Sequence, residues 1–253
     1  MDTAKIVRGL SHPTKTRKFQ KLMMFLREPR FYLRLRYMRV LDRFAAHWYD
    51  WTERNDGIQH KVYRSYAAYL SHQKSKFRKV DLMRHDREYG GRLTRRLERL
   101  DGDVVVPGKN VLCLAARLGT EVKSFQARGC FAVGTDLEPG PENEYVVHGD
   151  FHNIKFPANS VDIVFTNSLD HALHFDRLLS EMKRVLKPGG HVIADVIKGT
   201  KEGYTPGRYE AAAWERIDDV VRRFEQSGFI LLRRTFIRHP WSAGGEHVVF
   251  QTG

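Results

Sequence analysis

Apolar residues recur along this chain of 253 residues at two different spacings, and the spacing changes near Lys109. Before that position they recur at helical intervals. This pattern predicts helices over Phe19–Trp51, Ile58–Ser71 and Val80–Leu100. Pro29 is expected to break the first helix and the pair Gly90-Gly91 the last one.

After Lys109 short apolar runs alternate with helical segments. The predicted strands are Val111–Ala115, Phe131–Thr135, Tyr145–His148, Val161–Thr166, His191–Ile197, Phe229–Ile237 and Glu246–Gln251. The predicted helices are Thr120–Arg128, Phe175–Leu186 and Tyr209–Gln226. Strands separated by helices predict an α/β fold with a doubly wound, mainly parallel sheet and helices on both faces. The last two strands follow each other directly, which predicts an antiparallel hairpin at the C-terminus.

Glycine and proline between Asp101 and Lys109 mark a boundary, which divides the chain into residues 1–105 and residues 106–253. The charge is divided in the same way, because residues 1–100 hold 25 of the 43 Lys and Arg residues but 10 of the 30 Asp and Glu residues. The first part is therefore predicted to be a basic, mainly helical region. Its charge favours an anionic partner, either a membrane surface or nucleic acid, without choosing between them.

The composition narrows the class of protein. No apolar run reaches the roughly 18 residues that a membrane-spanning helix needs, and basic residues interrupt the first 18 positions, unlike a signal peptide. The two cysteines, Cys113 and Cys130, lie in apolar, strand-like contexts. Two buried thiols indicate a reducing compartment, so we expect a cytoplasmic protein.

Ligands of an open parallel sheet bind at the carboxyl ends of its strands, so the residues that follow each strand are the candidate site. After the first four strands of the sheet these residues are Leu114, Ala115, Arg117, Gly119 and Glu121, then Asp136 and Leu137, then Asp150 and Phe151, and finally Asn167, Ser168, Asp170 and His171. An acid in the position of Asp136 accepts hydrogen bonds from both hydroxyls of a ribose. The first loop enters a helix, whose amino end favours a carboxylate or a phosphate.

Four segments carry a resemblance to a known family: VLCLAARLGTEV, AVGTDLEPG, VVHGDFHNIKFPANSVDIVFTNSLDHA and LLSEMKRVLKPGGHVIADV. They resemble the class I S-adenosylmethionine (SAM)-dependent methyltransferases, especially the type-11 group. The resemblance implies a Rossmann-like domain over residues 106–253, with SAM as cofactor and S-adenosylhomocysteine as product. It also implies that Asp136 binds the ribose, that Asp150 and Phe151 bind the adenine, and that the first loop holds the methionine part.

The first loop departs from the family pattern of an acidic residue followed by three glycines. Cys113, Ala115 and Arg117 stand at the acidic, first and second glycine positions, and Gly119 alone remains. A thiol cannot accept a hydrogen bond from the SAM ammonium as a carboxylate does. Glu121 or a backbone carbonyl is expected to replace it, whereas Arg117 either binds the SAM carboxylate or clashes with it.

The resemblance leads to the hypothesis of an O-methyltransferase acting on a small molecule, sugar or glycan, with His171 as the base that takes the hydroxyl proton and Asp170 beside it. The alternative for His171 is a packing role. No metal is expected, because the histidines and acids show no defined ligand spacing. Two other functions stay open, namely an RNA methyltransferase that uses the basic region and a non-catalytic SAM-binding scaffold. A nicotinamide dehydrogenase is disfavoured because the fingerprint G-x-G-x-x-G is absent.

Overall fold

The computed structural model describes residues 50–75, 82–140, 142–238 and 244–253, which all belong to one compact unit. Its strands are β1 (Ile58–His60), β2 (Asn110–Leu114), β3 (Phe131–Asp136), β4 (Val146–His148), β5 (Val161–Thr166), β6 (Leu186–Ile197), β7 (Ala212–Trp214), β8 (Phe229–Ile237) and β9 (Gly245–Thr252). Its helices are α1 (Tyr66–Ser75), α2 (Leu82–Leu97), α3 (Thr120–Gln126), α4 (Phe175–Val185) and α5 (Ile217–Gln226).

Seven of the strands form one sheet in the order β4-β3-β2-β5-β6-β9-β8. The pairs from β4 to β6 are parallel, and β9 pairs antiparallel with both β6 and β8. The predicted α/β class, the mainly parallel sheet and the C-terminal antiparallel hairpin are therefore confirmed. Strand β6 begins at Leu186, which is five residues earlier than the sequence pattern predicts.

Helices cover both faces of the sheet, as alternate side chains of its strands show. Leu112 and Leu114 of β2 belong to a buried cluster that also contains side chains of α4 and α5. Val111 and Cys113 of the same strand belong to a second cluster, which contains side chains of α2 and α3. Because successive residues of a strand face opposite sides, β2 is buried on both faces.

The predictions of helix over Ile58–Ser71 and Tyr209–Gln226 are each wrong in their first part. Strands β1 and β7 occupy these positions and pair antiparallel, with Ile58 opposite Trp214. Trp214 is buried and its indole donates a hydrogen bond of 2.8 Å to the carbonyl of Ile197. Strand pairing and this anchor outweigh the helical spacing of the apolar residues, because tertiary contacts override local preference.

The predicted break at Gly90-Gly91 is also wrong, because α2 runs through both glycines. A Cβ atom on Gly90 would lie 3.1 Å from the Cγ2 of Thr120, at the start of α3. The first glycine therefore serves the close approach of two helices rather than a turn. Tyr89, Leu93 and Leu97 form the buried stripe of α2 at helical spacing.

A buried polar cluster ties α2 to the sheet. Asp195 of β6 accepts hydrogen bonds from Tyr89 (2.9 Å) and Arg96 of α2, and His247 Nδ1 of β9 lies 2.6 Å from its carboxylate. Burial alone would raise the pKa of Asp195, but the hydrogen bond with His247 and the charge of Arg96 outweigh it, so the pKa lies below its ordinary value. The carboxylate is therefore ionised inside the core.

The helix predicted over Phe19–Trp51 and its break at Pro29 lie outside the described residues, except for the last two positions. The basic, mainly helical region expected over residues 1–105 therefore stays a prediction. In the described part of the chain, no helix is long and apolar enough to cross a membrane.

Candidate active site

A cleft of about 570 Å³, including space open to solvent, lies at the carboxyl ends of β2, β3 and β5. This is the edge of a parallel sheet where ligands bind. The cleft is lined by Tyr69, Gln73, Lys74, Ala115, Arg117, Asp136, Leu137, Glu138, Gly149, Phe151, Ser168 and His171.

The loop after β2 keeps a left-handed backbone at three alternate positions. The φ angles are 55° at Ala115, 42° at Arg117 and 78° at Gly119. A Cβ atom on Gly119 would lie 2.5 Å from the Cβ of Tyr145, so glycine is required there. The chain thus has the backbone of a glycine-rich loop although two of the three positions carry side chains, which costs roughly 1–2 kcal/mol at each.

Asp136 ends β3, and its carboxylate is held in place by the backbone. One oxygen accepts the amide of Arg117 at 3.2 Å and the other accepts the amide of Glu138 at 2.8 Å. The side chain lines the cleft beside Leu137, as the sequence predicts. A carboxylate oxygen accepts more than one hydrogen bond, so both oxygens can still receive a ligand hydroxyl.

Asp150 does not line the cleft, whereas its neighbours Gly149 and Phe151 do. Its carboxylate accepts the hydroxyl of Tyr66 at 2.5 Å and the amide of His152 at 2.9 Å. Burial alone would raise the pKa of Asp150, but the hydrogen bonds from His152 and Tyr66 outweigh it and the pKa is lowered. The observed partners of Asp150 join the loop after β4 to α1, a role that the sequence does not indicate.

Glu121 and Asn167 lie together behind the cleft. The amide of Asn167 donates to the Glu121 carboxylate at 3.0 Å, and the hydroxyl of Ser168 donates to the Asn167 oxygen at 3.0 Å. Glu121 is buried and does not line the cleft, and neither do Leu114, Gly119 or Asn167. Of this group of predicted residues, Ser168 is the one that reaches the cleft surface.

Both cysteines are free and buried, as the sequence predicts. Cys113 occupies the acidic position of the family pattern and packs among the helices α2 and α3 rather than in the cleft. Burial raises the pKa of its thiol well above the ordinary value, so the thiol is neutral. Cys113 is therefore a small apolar residue of the core.

His171 lines the cleft, and its ring is fixed by a hydrogen bond of 2.9 Å between Nδ1 and the carbonyl oxygen of Tyr209. A carbonyl only accepts, so Nδ1 carries the proton and the neutral ring has its lone pair on Nε2. The carboxylate of Asp170, a buried side chain, lies 4.0 Å from this Nε2.

Three residues of α1 line the cleft although the sequence does not predict them there: Tyr69, Gln73 and Lys74. Tyr69 is fully buried and donates from its hydroxyl to the carbonyl of His171 at 2.9 Å. Gln73 donates to the carbonyl of Tyr209 at 2.8 Å. The helical spacing of Tyr66, Tyr69 and Gln73 gives the helix face, but nothing in the sequence indicates that this face covers the cleft.

Glu138 and Gly149 also line the cleft and were not predicted. No group of three or more His, Cys, Asp or Glu side chains among the described residues is arranged to hold a metal ion.

The fold and the cleft agree with a family match. Residues 112–194 match the model of a methyltransferase domain family. The strand order, the cleft at the strand ends and this match support a class I SAM-dependent methyltransferase domain. SAM is the cofactor of that class.

Among characterised proteins, the chain is similar to a demethylmenaquinone methyltransferase of Renibacterium salmoninarum, with 34% identity over 112 residues. The match covers 40% of this chain and 47% of the relative, so the chain spans about half the length of that relative.

Solved structures show the same fold at low identity. A 1,6-didemethyltoxoflavin-N1-methyltransferase of Burkholderia thailandensis, solved with S-adenosylhomocysteine, has a TM-score of 0.57 and 14% identity, covering 80% of this chain and 99% of its own. A SAM-dependent methyltransferase of Aquifex aeolicus has a TM-score of 0.51 and 18% identity, covering 63% of this chain and 89% of its own.

Proposed function

We propose that this protein transfers the methyl group of SAM to an oxygen atom of a small molecule, a sugar or a glycan. The observation that carries the proposal is the presence in one cleft of a fixed carboxylate, Asp136, and a histidine with a defined lone pair, His171. The Asp136 carboxylate suits binding of the cofactor ribose, and the His171 ring suits removal of a proton from a hydroxyl acceptor.

The cofactor half of the cleft supports SAM binding residue by residue. Asp136, oriented by two backbone amides, would accept the ribose hydroxyls, and Leu137 and Phe151 would flank the adenine. The left-handed loop at Ala115 and Arg117 would bring the backbone close to the methionine part. Of the two outcomes open for Arg117, we favour binding of the SAM carboxylate, because this cationic residue lines the cleft.

The acceptor half supports proton removal by His171. When bound, SAM supplies an electrophilic methyl group, so the acceptor oxygen gains an O–CH₃ bond while the S–CH₃ electron pair returns to sulfur. His171 would accept the hydroxyl proton at Nε2 while Nδ1–H stays bonded to Tyr209. Asp170, at 4.0 Å from Nε2, would stabilise the imidazolium that forms. Tyr69 would hold the His171 backbone.

The preference for oxygen over nitrogen or carbon rests on His171, since an acceptor that is already nucleophilic needs no base. The related proteins do not decide this point, because their names include a demethylmenaquinone methyltransferase and an N1-methyltransferase. The basic N-terminal residues would bring in an anionic acceptor or surface. The two buried free cysteines fit the expected cytoplasmic location.

The experiment is a methylation assay with radiolabelled SAM and a cell lysate separated into RNA, protein, lipid, saccharide and small-molecule fractions. Label in the small-molecule, saccharide or lipid-linked glycan fraction, lost with His171→Ala while SAM affinity is kept, is the expected result. Label in RNA alone contradicts the proposed acceptor. SAM binding without transfer to any fraction contradicts the activity and indicates a scaffold.

A further inference from the structure

Residues 207–211 form a short loop, here called the cover loop, that contacts the base from outside the matched family domain. The Tyr209 carbonyl accepts from His171 Nδ1 at 2.9 Å and from Gln73 at 2.8 Å. The amide of Ala211 donates to the carbonyl of Asp170 at 2.7 Å. The cover loop thus supplies the carbonyl that accepts from Nδ1 of His171 and an amide that donates to the neighbouring Asp170.

One buried lysine holds the cover loop. Lys61 follows β1 and has 1% of its surface exposed. Its ammonium donates to the carbonyls of Arg208 (2.8 Å) and Gly207 (3.3 Å), and its own amide donates to the carbonyl of Ala211 at 2.8 Å. The same ammonium lies 5.3 Å from the centre of the Trp51 ring. Lys61 therefore binds both ends of a five-residue loop whose middle residue contacts His171.

We propose that Lys61 is a positioning residue for His171: it fixes the cover loop so that the Tyr209 carbonyl keeps the proton of His171 on Nδ1 and the lone pair on Nε2. The value of this arrangement for methyl transfer rests on the proposed function, in which Nε2 is the base. The effect of Lys61 on the tautomer does not depend on it.

The chemistry behind the inference is the choice between two neutral tautomers. A free histidine side chain prefers the proton on Nε2, which would remove the lone pair that a hydroxyl acceptor needs. The carbonyl of Tyr209 reverses this preference as long as it stays at hydrogen-bond distance. A cover loop free to move by an ångström would lose the bond, because hydrogen bonds weaken steeply with distance and angle.

The inference gives the N-terminal part of the chain a role in catalysis. Lys61, Tyr69 and Gln73 all precede residue 112, where the family match begins. Their side chains donate hydrogen bonds to the cover loop and to the His171 carbonyl. Changes at Lys61 are therefore expected to alter the base without altering cofactor binding.

The test is nitrogen NMR of the full chain with labelled histidine, in which long-range proton–nitrogen spectra distinguish the two tautomers. The chain has 12 histidines, and loss of one signal set in His171→Gln assigns the ring. Lys61→Met removes the ammonium and keeps the aliphatic stem. Lys183→Met is the matched control. Lys183 lies on α4, and its ammonium also donates to a backbone carbonyl, that of Ser227, at 3.2 Å.

We expect Lys61→Met to lower the ratio of the Nδ1–H to the Nε2–H tautomer of His171 about tenfold, the effect of losing one ordinary hydrogen bond. Lys183→Met should leave the ratio unchanged, and SAM affinity should stay within about threefold in both variants. Lys61→Gln keeps a hydrogen-bond donor, so its tautomer ratio should lie between those of Lys61→Met and the unaltered protein. This variant replaces Lys61→Met in the test if Lys61→Met does not fold.

An unchanged His171 tautomer in a folded Lys61 variant overturns the inference, and so does an equal change in Lys183→Met. Failure of the proposed function looks different. If the unaltered protein does not bind SAM, or methylates RNA alone, the proposed function fails while the tautomer ratios remain a valid test of Lys61.

Discussion

At the residue scale, the loop after β2 shows how a sequence departs from a family pattern while the backbone keeps it. Ala115 and Arg117 adopt the positive φ angles that glycine adopts freely. The sequence shows that the glycines are missing, but it cannot show whether the loop changes shape or accepts strain. The structure shows that it accepts strain, which leads to a stability prediction.

Ala115→Gly is expected to raise the free energy of unfolding by about 0.5–1 kcal/mol. Relief of the left-handed strain, roughly 1–2 kcal/mol, exceeds the entropy cost of glycine, roughly 0.5–1 kcal/mol. Chemical denaturation measures the difference. Ala116→Gly is the control, because Ala116 is buried and is not among the residues with positive φ, and it should destabilise the protein. Destabilisation by both changes would contradict the strain.

Lys61 gives a pH prediction at the same scale. Burial lowers the pKa of Lys61 to about 8, with Glu210 opposing the shift and Arg208 adding to it. Between this value and the ordinary value of about 10.5, the unfolded chain holds a proton that the folded chain has lost. The free energy of unfolding should therefore rise with pH across that window, by at most about 1.4 kcal/mol per pH unit from this group.

The measurement is the free energy of unfolding from pH 7 to pH 10, compared between the unaltered protein and Lys61→Met. As the pH rises above about 8, the free energy of unfolding of the unaltered protein should increase relative to that of Lys61→Met. Lys183→Met should follow the unaltered protein. A gap that does not vary with pH would show that Lys61 keeps an ordinary pKa.

At the element scale, α1 is the part of the cleft that the sequence places least well. The sequence predicts a helix over Ile58–Ser71, but β1 occupies the start of that range and α1 begins at Tyr66. The elements of the sheet, by contrast, follow from apolar runs bounded by turns. The difference is physical: a strand buried on both faces has a continuous apolar pattern, whereas α1 is fixed by polar contacts between distant residues. Those contacts, such as Tyr66 with Asp150 across 84 positions, leave no local pattern.

Tyr66→Phe tests the docking of α1. The change removes the hydroxyl that Asp150 accepts and leaves a partly buried carboxylate with one donor fewer. We expect a loss of about 1.5–3 kcal/mol in the free energy of unfolding, the usual worth of a hydrogen bond to a charged group. Tyr145→Phe is the control, because the Tyr145 hydroxyl has no hydrogen bond among the described residues. Equal effects of the two changes would contradict the docking role.

At the scale of the whole molecule, the described residues that line the cleft lie between Tyr69 and His171. The sequence predicts the sheet, its hairpin and the positions of Asp136, Ser168 and His171. It does not predict that residues 50–75 complete the cleft. The boundary near residue 105 is inferred from the charge distribution and from turn residues, and neither of these indicates which segments pack together. The basic region of residues 1–105 supplies Tyr69, Gln73 and Lys74 to the cleft, and the function expected of its first 49 residues lies outside the described part of the chain.

Two truncations separate these contributions. Removal of residues 1–48 should leave SAM affinity within about threefold, because every described residue that lines the cleft is kept. Removal of residues 1–75 should weaken binding more than tenfold or abolish folding, because β1 and the cleft-lining helix α1 are lost with it. Calorimetry with SAM gives both values. A large loss on removing residues 1–48 would show that the first residues take part in cofactor binding.

The most direct test of the central claim is calorimetric titration of the full chain and of Asp136→Ala with SAM and with S-adenosylhomocysteine. Asp103→Ala, an exposed acid paired with Arg233, serves as the control. We predict that both ligands bind the unaltered protein and the control alike, and that Asp136→Ala weakens each at least about tenfold through loss of charge-assisted hydrogen bonds. Unchanged affinity in Asp136→Ala would contradict the assignment of the ribose site.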